Sequence, residues 1–178
     1  MIKPYNLIIF TSLFLLSCSD RLAELNQNNE SFFSPISIAK EINTKYVDSG
    51  RLKSLLKSPL MVNFSNMDFP FYDFPDGINL TLFDKKNDTI QVVSDKALVF
   101  SETDIIDLRG NVVLITSTKD TLLTEQLYFD QKKEWLFTDF PVRFRTNNYI
   151  TDGIGFDSNQ NFTNAQVTMV TGRIFIEN

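Results

Sequence analysis

Three carboxylates, Asp76, Asp95 and Glu125, and one thiol, Cys18, are the side chains whose chemistry has to be weighed first. Acids in pairs can run general acid–base or glycosidase chemistry, and a thiolate is a nucleophile or a metal ligand. The chain contains no histidine, which removes a Ser-His-Asp triad, a Cys-His nucleophile and any Cys/His zinc site. Asp76 falls in turn chemistry, and Asp95 and Glu125 fall at matching places of a repeated segment, so all three read as solvated loop and strand residues. No catalytic residue, metal site or cofactor is expected. A binding or scaffold role gains by subtraction.

Cys18 is the only cysteine, and its context is specific. Met1-Ile2-Lys3 is a short positive start, and Leu7 to Leu16 is a ten-residue apolar run. Ten residues are too few to cross a bilayer, which takes about 20, but they suit a secretory signal. Leu15-Leu16-Ser17-Cys18 resembles the bacterial lipobox, so residues 1–17 are expected to be a signal peptide and Cys18 a lipidated amino terminus. Two or more acyl chains hold a protein stably where one does not. The alternative is an ordinary cleaved leader with an incidental thiol. Residues 18–40 are expected to be the lipidated terminus and a flexible tether, because Asn26-Gln27-Asn28-Asn29-Glu30-Ser31 offers nothing to bury.

Length and composition support one globular domain. The 178 residues are 43% apolar and 22% charged, with 17 Phe against a single Trp. The formal charge is -5; without residues 1–17, 16 basic residues face 22 acidic ones. No basic stripe stands out, so nucleic acid is not an expected partner.

The domain is placed at 41–178, and its pattern is that of strands. Ile42, Thr44 and Tyr46 alternate with polar neighbours, and Asp48-Ser49-Gly50 is turn chemistry. Leu52 to Phe64 then reads as the return strand of a hairpin, although Leu52, Leu55 and Leu56 also suit one helical turn. Ile78, Leu80 and Leu82 alternate with Asn79 and Thr81, Asp84 to Asp88 makes a turn, and Thr89 to Ser94 follows as the next strand. Gly77, like Gly50, is expected to be a turn glycine.

A weak repeat joins three segments. Ser94-Asp95-Lys96-Ala97-Leu98-Val99-Phe100, Thr124-Glu125-Gln126-Leu127-Tyr128-Phe129-Asp130 and Thr151-Asp152-Gly153-Ile154-Gly155-Phe156-Asp157 each begin with a hydroxyl, an acid and a spacer, then continue apolar. Their starts lie 30 and 27 residues apart, and each is followed by a second strand, at Asn111–Ile115, Val142–Phe144 and Gln166–Val170. A strand pair cannot bury its apolar face alone, so such units must stack. The expected fold is all-β: an elongated, twisted β-jelly roll (a β-taco) of stacked antiparallel strand pairs, open along one edge.

Several phrases resemble the LptC family of lipopolysaccharide-transport proteins and the OstA-like domains related to it. Asp48-Ser49-Gly50-Arg51-Leu52-Lys53 through Ser58-Pro59-Leu60-Met61 resembles the family's opening hairpin, and Pro75-Asp76-Gly77-Ile78 with Leu82-Phe83-Asp84 its next strand. Gly110-Asn111-Val112-Val113-Leu114 resembles the recurring "GNV" strand. Leu122 to Asp130, with Trp135-Leu136-Phe137-Thr138-Asp139 and Pro141-Val142, is the most specific stretch, and Thr151 to Asp157 resembles the last repeat.

The resemblance implies a non-enzymatic carrier that takes lipopolysaccharide from an inner-membrane ABC transporter and passes it to a soluble, LptA-like periplasmic bridge protein. Acyl chains would lie in an apolar slot between sheets; the alternative is a structural or protein-interaction β-sandwich with a filled core. Lining candidates are Leu80, Leu82, Val92, Val99, Val112, Leu114, Leu127, Phe129, Phe144, Ile154, Phe156, Val167 and Met169. Gly50 matches a family glycine associated with the transporter. Ile174, Phe175 and Ile176 are either an ordinary closing strand or a docking edge for the bridge protein. Better-known members carry an N-terminal transmembrane helix, and here a lipobox stands in its place. The expected location is the periplasm, lipid-anchored at the inner membrane, where the transporter is.

Overall fold

Ser49 and Gly50 both take positive φ, 51° and 76°. That pair of left-handed residues makes the two-residue hairpin loop whose twist suits the strands it joins. It connects β1 (Ser37–Asp48) to β2 (Arg51–Phe64), with Asp48 opposite Arg51 and Ser37 opposite Asn63 at the far end. Leu52, Leu55 and Leu56 therefore belong to a strand. β1 begins ahead of the expected domain start at 41.

The computed structural model describes residues 34–83, 88–171 and 175–176, and Pro35–Asn178 forms one compact unit. Ten further strands follow: β3 (Phe71–Phe74), β4 (Ile78–Phe83), β5 (Thr89–Ser94), β6 (Lys96–Phe100), β7 (Ile105–Ile115), β8 (Thr121–Asp130), β9 (Trp135–Arg145), β10 (Tyr149–Asn159), β11 (Gln166–Val170) and β12 (Phe175–Ile176). Every pairing is antiparallel, in one 12-stranded sheet. Helices are absent among the described residues.

The sheet folds over on itself because its long strands bend. β2 pairs with β4 through Ser54–Lys57 but with β3 through Val62–Phe64. β7 pairs with β5 through Val113–Ile115 but with β6 through Arg109–Ile105. Ladders slip along the bent strands: at Arg109/Val112 in β7–β8, at Thr124/Tyr128 in β8–β9 and at Ile154/Phe156 in β10–β9. Gly110 and Asn111 (φ 73° and 44°) and Gly155 (φ 80°) supply the left-handed residues such bulges need. Two half-sheets result, facing each other across an apolar interior. This is a β-jelly roll.

The bend is marked by a row of alternating chemistry. Ile78 lies opposite Ser94, Val112 opposite Thr124, Thr124 opposite Val142, and Val142 opposite Gly153. The hydroxyls in the row are buried and bridge the kinked backbone. Ser94 Oγ donates to the Lys96 carbonyl at 2.9 Å. Thr124 Oγ1 lies 3.2 Å from the Gln126 carbonyl and 3.0 Å from that of Pro141. Ser58, at the matching place on β2, lies 2.9 Å from the Leu60 carbonyl and 2.7 Å from that of Gly77. A bulge frees carbonyls from the ladder, and buried carbonyls need a donor; a short hydroxyl reaches back without adding bulk.

The interior is packed unequally along its length. Towards β8, β9 and β10, Leu108, Leu114, Leu122, Leu127, Leu136 and Phe156 are shut off from solvent. Towards β1, the halves stand apart.

Candidate functional site

Where they stand apart lies an open cavity of about 620 Å³. Its floor is apolar: Leu56 and Met61 from β2, Tyr72 and Phe74 from β3, Leu80 from β4, Val99 from β6 and Ile106 from β7. Period two aims Ile42, Thr44 and Tyr46 of β1 at the same space, with Ser54 beside them. The opposite rim is polar, formed by Asp104, Gln131 and Lys132 at the ends of hairpins. Among the described residues β1 pairs only with β2, so one wall of the trough is also the boundary of the sheet.

The expected lining residues divide by position. Leu80 and Val99 line this trough. Leu82, Val92, Val112, Leu114, Leu127, Phe129, Phe144 and Phe156 are buried in the packed core, and Val167 packs partly buried against it. Ile154 and Met169 are 41% and 57% exposed. The ladder slip between Ile154 and Phe156 breaks the alternation that would otherwise put both on one face. Leu56, Met61, Tyr72, Phe74 and Ile106 line the trough without carrying a lining signal in the sequence. Tyr72 and Phe74 hide in an aromatic- and proline-rich segment that reads as a loop; β1's alternation at Ile42, Thr44 and Tyr46 was the available signal.

Gly50 sits exposed at the hairpin tip, where an added β-carbon would meet nothing within 4 Å. β12 adds to β10, with Phe175 opposite Ile150 and Ile176 opposite Tyr149. Residues 1–17, Cys18, most of the tether and Ile174 lie outside the described residues.

Charged side chains are locally matched. Asp107, only 2% exposed, accepts from Arg109 Nε and Nη2 at 2.8 and 2.5 Å and from Gln126 Nε2 at 2.8 Å. Thr138 Oγ1 in turn donates to Gln126 Oε1. Hydrogen bonding to Asp107, then its charge, raises the Arg109 pKa further. Asp152 is held below the ordinary carboxylate value by its hydrogen bond and ion pair with Arg143, and Asp130 likewise by Lys133. Burial pushes Asp73 upward against the opposing charge of Lys96. Of the three acids weighed for chemistry, all are exposed, and Asp95 accepts from Asn111 Nδ2 at 2.7 Å. No cluster of metal-ligating side chains occurs among the described residues, and no described helix is long and apolar enough to cross a membrane.

A folded-over β-jelly roll with an apolar trough at one end defines the class to which this chain belongs. The family described as "Lipopolysaccharide-assembly, LptC-related" matches residues 7–173, nearly the whole chain, and the chain belongs to that family. It is thereby a component of lipopolysaccharide transport, periplasmic and associated with the inner membrane, with lipopolysaccharide, transporter and bridge protein as the family's partners. No curated protein matches it.

Proposed function

We propose that the trough lined by β1, β2 and β4 and by β3, β6 and β7 holds acyl chains of lipopolysaccharide while the molecule moves from the inner-membrane ABC transporter to the periplasmic bridge protein. The observation carrying this reading is an open apolar space beside an edge strand, in a fold whose other half is filled. Burial of each CH₂ is worth about 0.8 kcal/mol, so a dozen-carbon tail in water costs on the order of 10 kcal/mol. A carrier needs no chemistry beyond removing that cost. A 150 Å³ apolar cavity takes one benzene; at 620 Å³ the trough has room for about two dozen carbons on the same scale. That is one or two tails, with the remainder of a many-tailed lipid held elsewhere.

Three further parts complete the proposal. Cys18 carries the lipid anchor, after removal of residues 1–17. Gly50, at the hairpin tip beside the trough wall, meets the transporter. The C-terminal edge, including Ile174, Phe175 and Ile176, receives a strand of the bridge protein by backbone pairing.

Filling the trough tests the reading. Leu80→Trp combined with Val99→Trp places two indoles in the cavity, and the protein should keep its β spectrum while lipopolysaccharide binding falls at least about tenfold, the loss of some 1.4 kcal/mol. Undiminished binding by the folded double variant would refute the trough as the site.

A further inference from the structure

Three aromatic rings meet in the packed C-terminal half of the interior. Phe144 stands on one half-sheet, where β9 pairs with β8 and β10, and Phe156 stands on the other, beyond the bend in β10. Their centroids are 5.3 Å apart. Phe162 comes from neither strand but from the turn between β10 and β11, and places its ring edge-on to both, at 5.4 Å from each. It is 9% exposed.

The backbone that delivers this ring is unusual. Phe162 has a φ of 57°, a left-handed conformation that bulky side chains rarely adopt. Local bonds hold it there: the Phe162 amide donates to the Asn159 carbonyl at 3.0 Å, and the Asn159 side chain donates to Thr163 Oγ1 at 2.6 Å and accepts from the Asn164 amide at 3.2 Å. The Gln160 amide ties the turn to the Glu134 carbonyl of the neighbouring hairpin. Behind it, among the described residues, β11 pairs with β10 alone, and Met169 and Val170 are exposed. A strained residue next to a lightly held edge strand is placed to move.

We infer that Phe162 is a clasp. Its ring bridges the two half-sheets on their open side at the C-terminal end, and while it is seated the interior there stays closed to lipid. At the β1 end the corresponding aromatic, Tyr46, is 61% exposed and leaves the trough open. A tail moves past the trough towards β10 and β11 only when the Phe162 ring swings out and the halves part about the bend. The inference rests on the trough being a lipid site.

The test uses a diazirine-bearing palmitate as probe, on the full chain and on Phe162→Ala and Phe162→Asn. Asparagine removes the ring and accepts positive φ more readily than alanine, so agreement of the two variants assigns the effect to the ring and not to the turn's backbone. Labelled residues are mapped by mass spectrometry, and melting curves confirm folding. In the unaltered chain, label is expected at Val99 and Ile106 and little at Leu114, Leu122 and Phe144. Both variants should raise labelling of the latter three several-fold while the trough labels as before. Trough labelling without any gain in the C-terminal half of a folded variant overturns the clasp alone. Absence of label from the trough of the unaltered chain overturns the lipid reading, and the clasp with it.

Discussion

A β-carbon placed on Gly77 would lie 2.6 Å from the carbonyl oxygen of Ser94, across the bend of the sheet. Gly77 also has a φ of 86°, so alanine there meets both a strained backbone and a backbone atom that cannot turn aside. Gly77→Ala is expected to cost at least about 2 kcal/mol. Gly50→Ala shares the positive φ but has open space around it, and should cost only about 1 kcal/mol. Urea unfolding of the two variants checks the order; equal losses would mean that the close approach at the bend carries no weight.

Asp107 predicts a second asymmetry. Asp107→Ala leaves the amide of Gln126 and the guanidinium of Arg109 without their shared acceptor, at a cost of about 2–3 kcal/mol. Arg109→Ala removes the partner whose side chain is 57% exposed and should cost less, because water can replace it. Denaturation midpoints of the two proteins measure the difference.

The acidic limb of stability follows from the shifted carboxyls. Asp152 and Asp130 have folded values below the 3.8 of the free side chain. Each therefore contributes stability that is present above 3.8 and lost as pH falls through the depressed value. Asp73 is shifted upward from 3.8, so its contribution has the opposite sign and is lost as pH rises through the raised value. Asp152→Asn should flatten the decline in stability below pH 3.8 and Asp73→Asn should stabilise the neutral protein. The Arg143–Asp152 pair is exposed, and the effect at that site should not exceed about 1 kcal/mol. Melting temperatures across pH 2.5–7 read both signs.

The proposed anchor has its own test. Secreted protein with Cys18 intact should partition into detergent on phase separation, and Cys18→Ala should remain in the aqueous phase. Detergent partitioning of the alanine variant would contradict lipidation at that residue.

Strand existence was legible because the alternation at Ile78-Asn79-Leu80-Thr81-Leu82 leaves few other folds for the chain. The repeat was legible too, but its third phase was not. Matching by sequence sets Thr151 level with Thr124, whereas the ladders place Gly153 there, through Val142. The slip arises because β10 bends at Gly155, further along its strand than the bends at Ser94 and Thr124, and a bulge inserts residues that no period records. Ser58 belongs with the buried hydroxyls and carries no acid after it, so the pattern passed over it. The division of the interior was the least readable feature. Leu80 and Leu127 look alike in an alternating strand; only the spacing of the two half-sheets, open at β1 and closed by Phe144, Phe156 and Phe162, makes one a trough residue and the other core.

The most direct measurement places a photo-crosslinking residue at Val99, on the trough floor, in membrane vesicles that hold the transporter and lipopolysaccharide. Crosslinks to lipopolysaccharide should form when ATP is supplied and be lost in the Leu80→Trp background. A Val99 position that never captures lipopolysaccharide, while a control position on the outer surface captures it equally with and without ATP, would contradict the trough as the route.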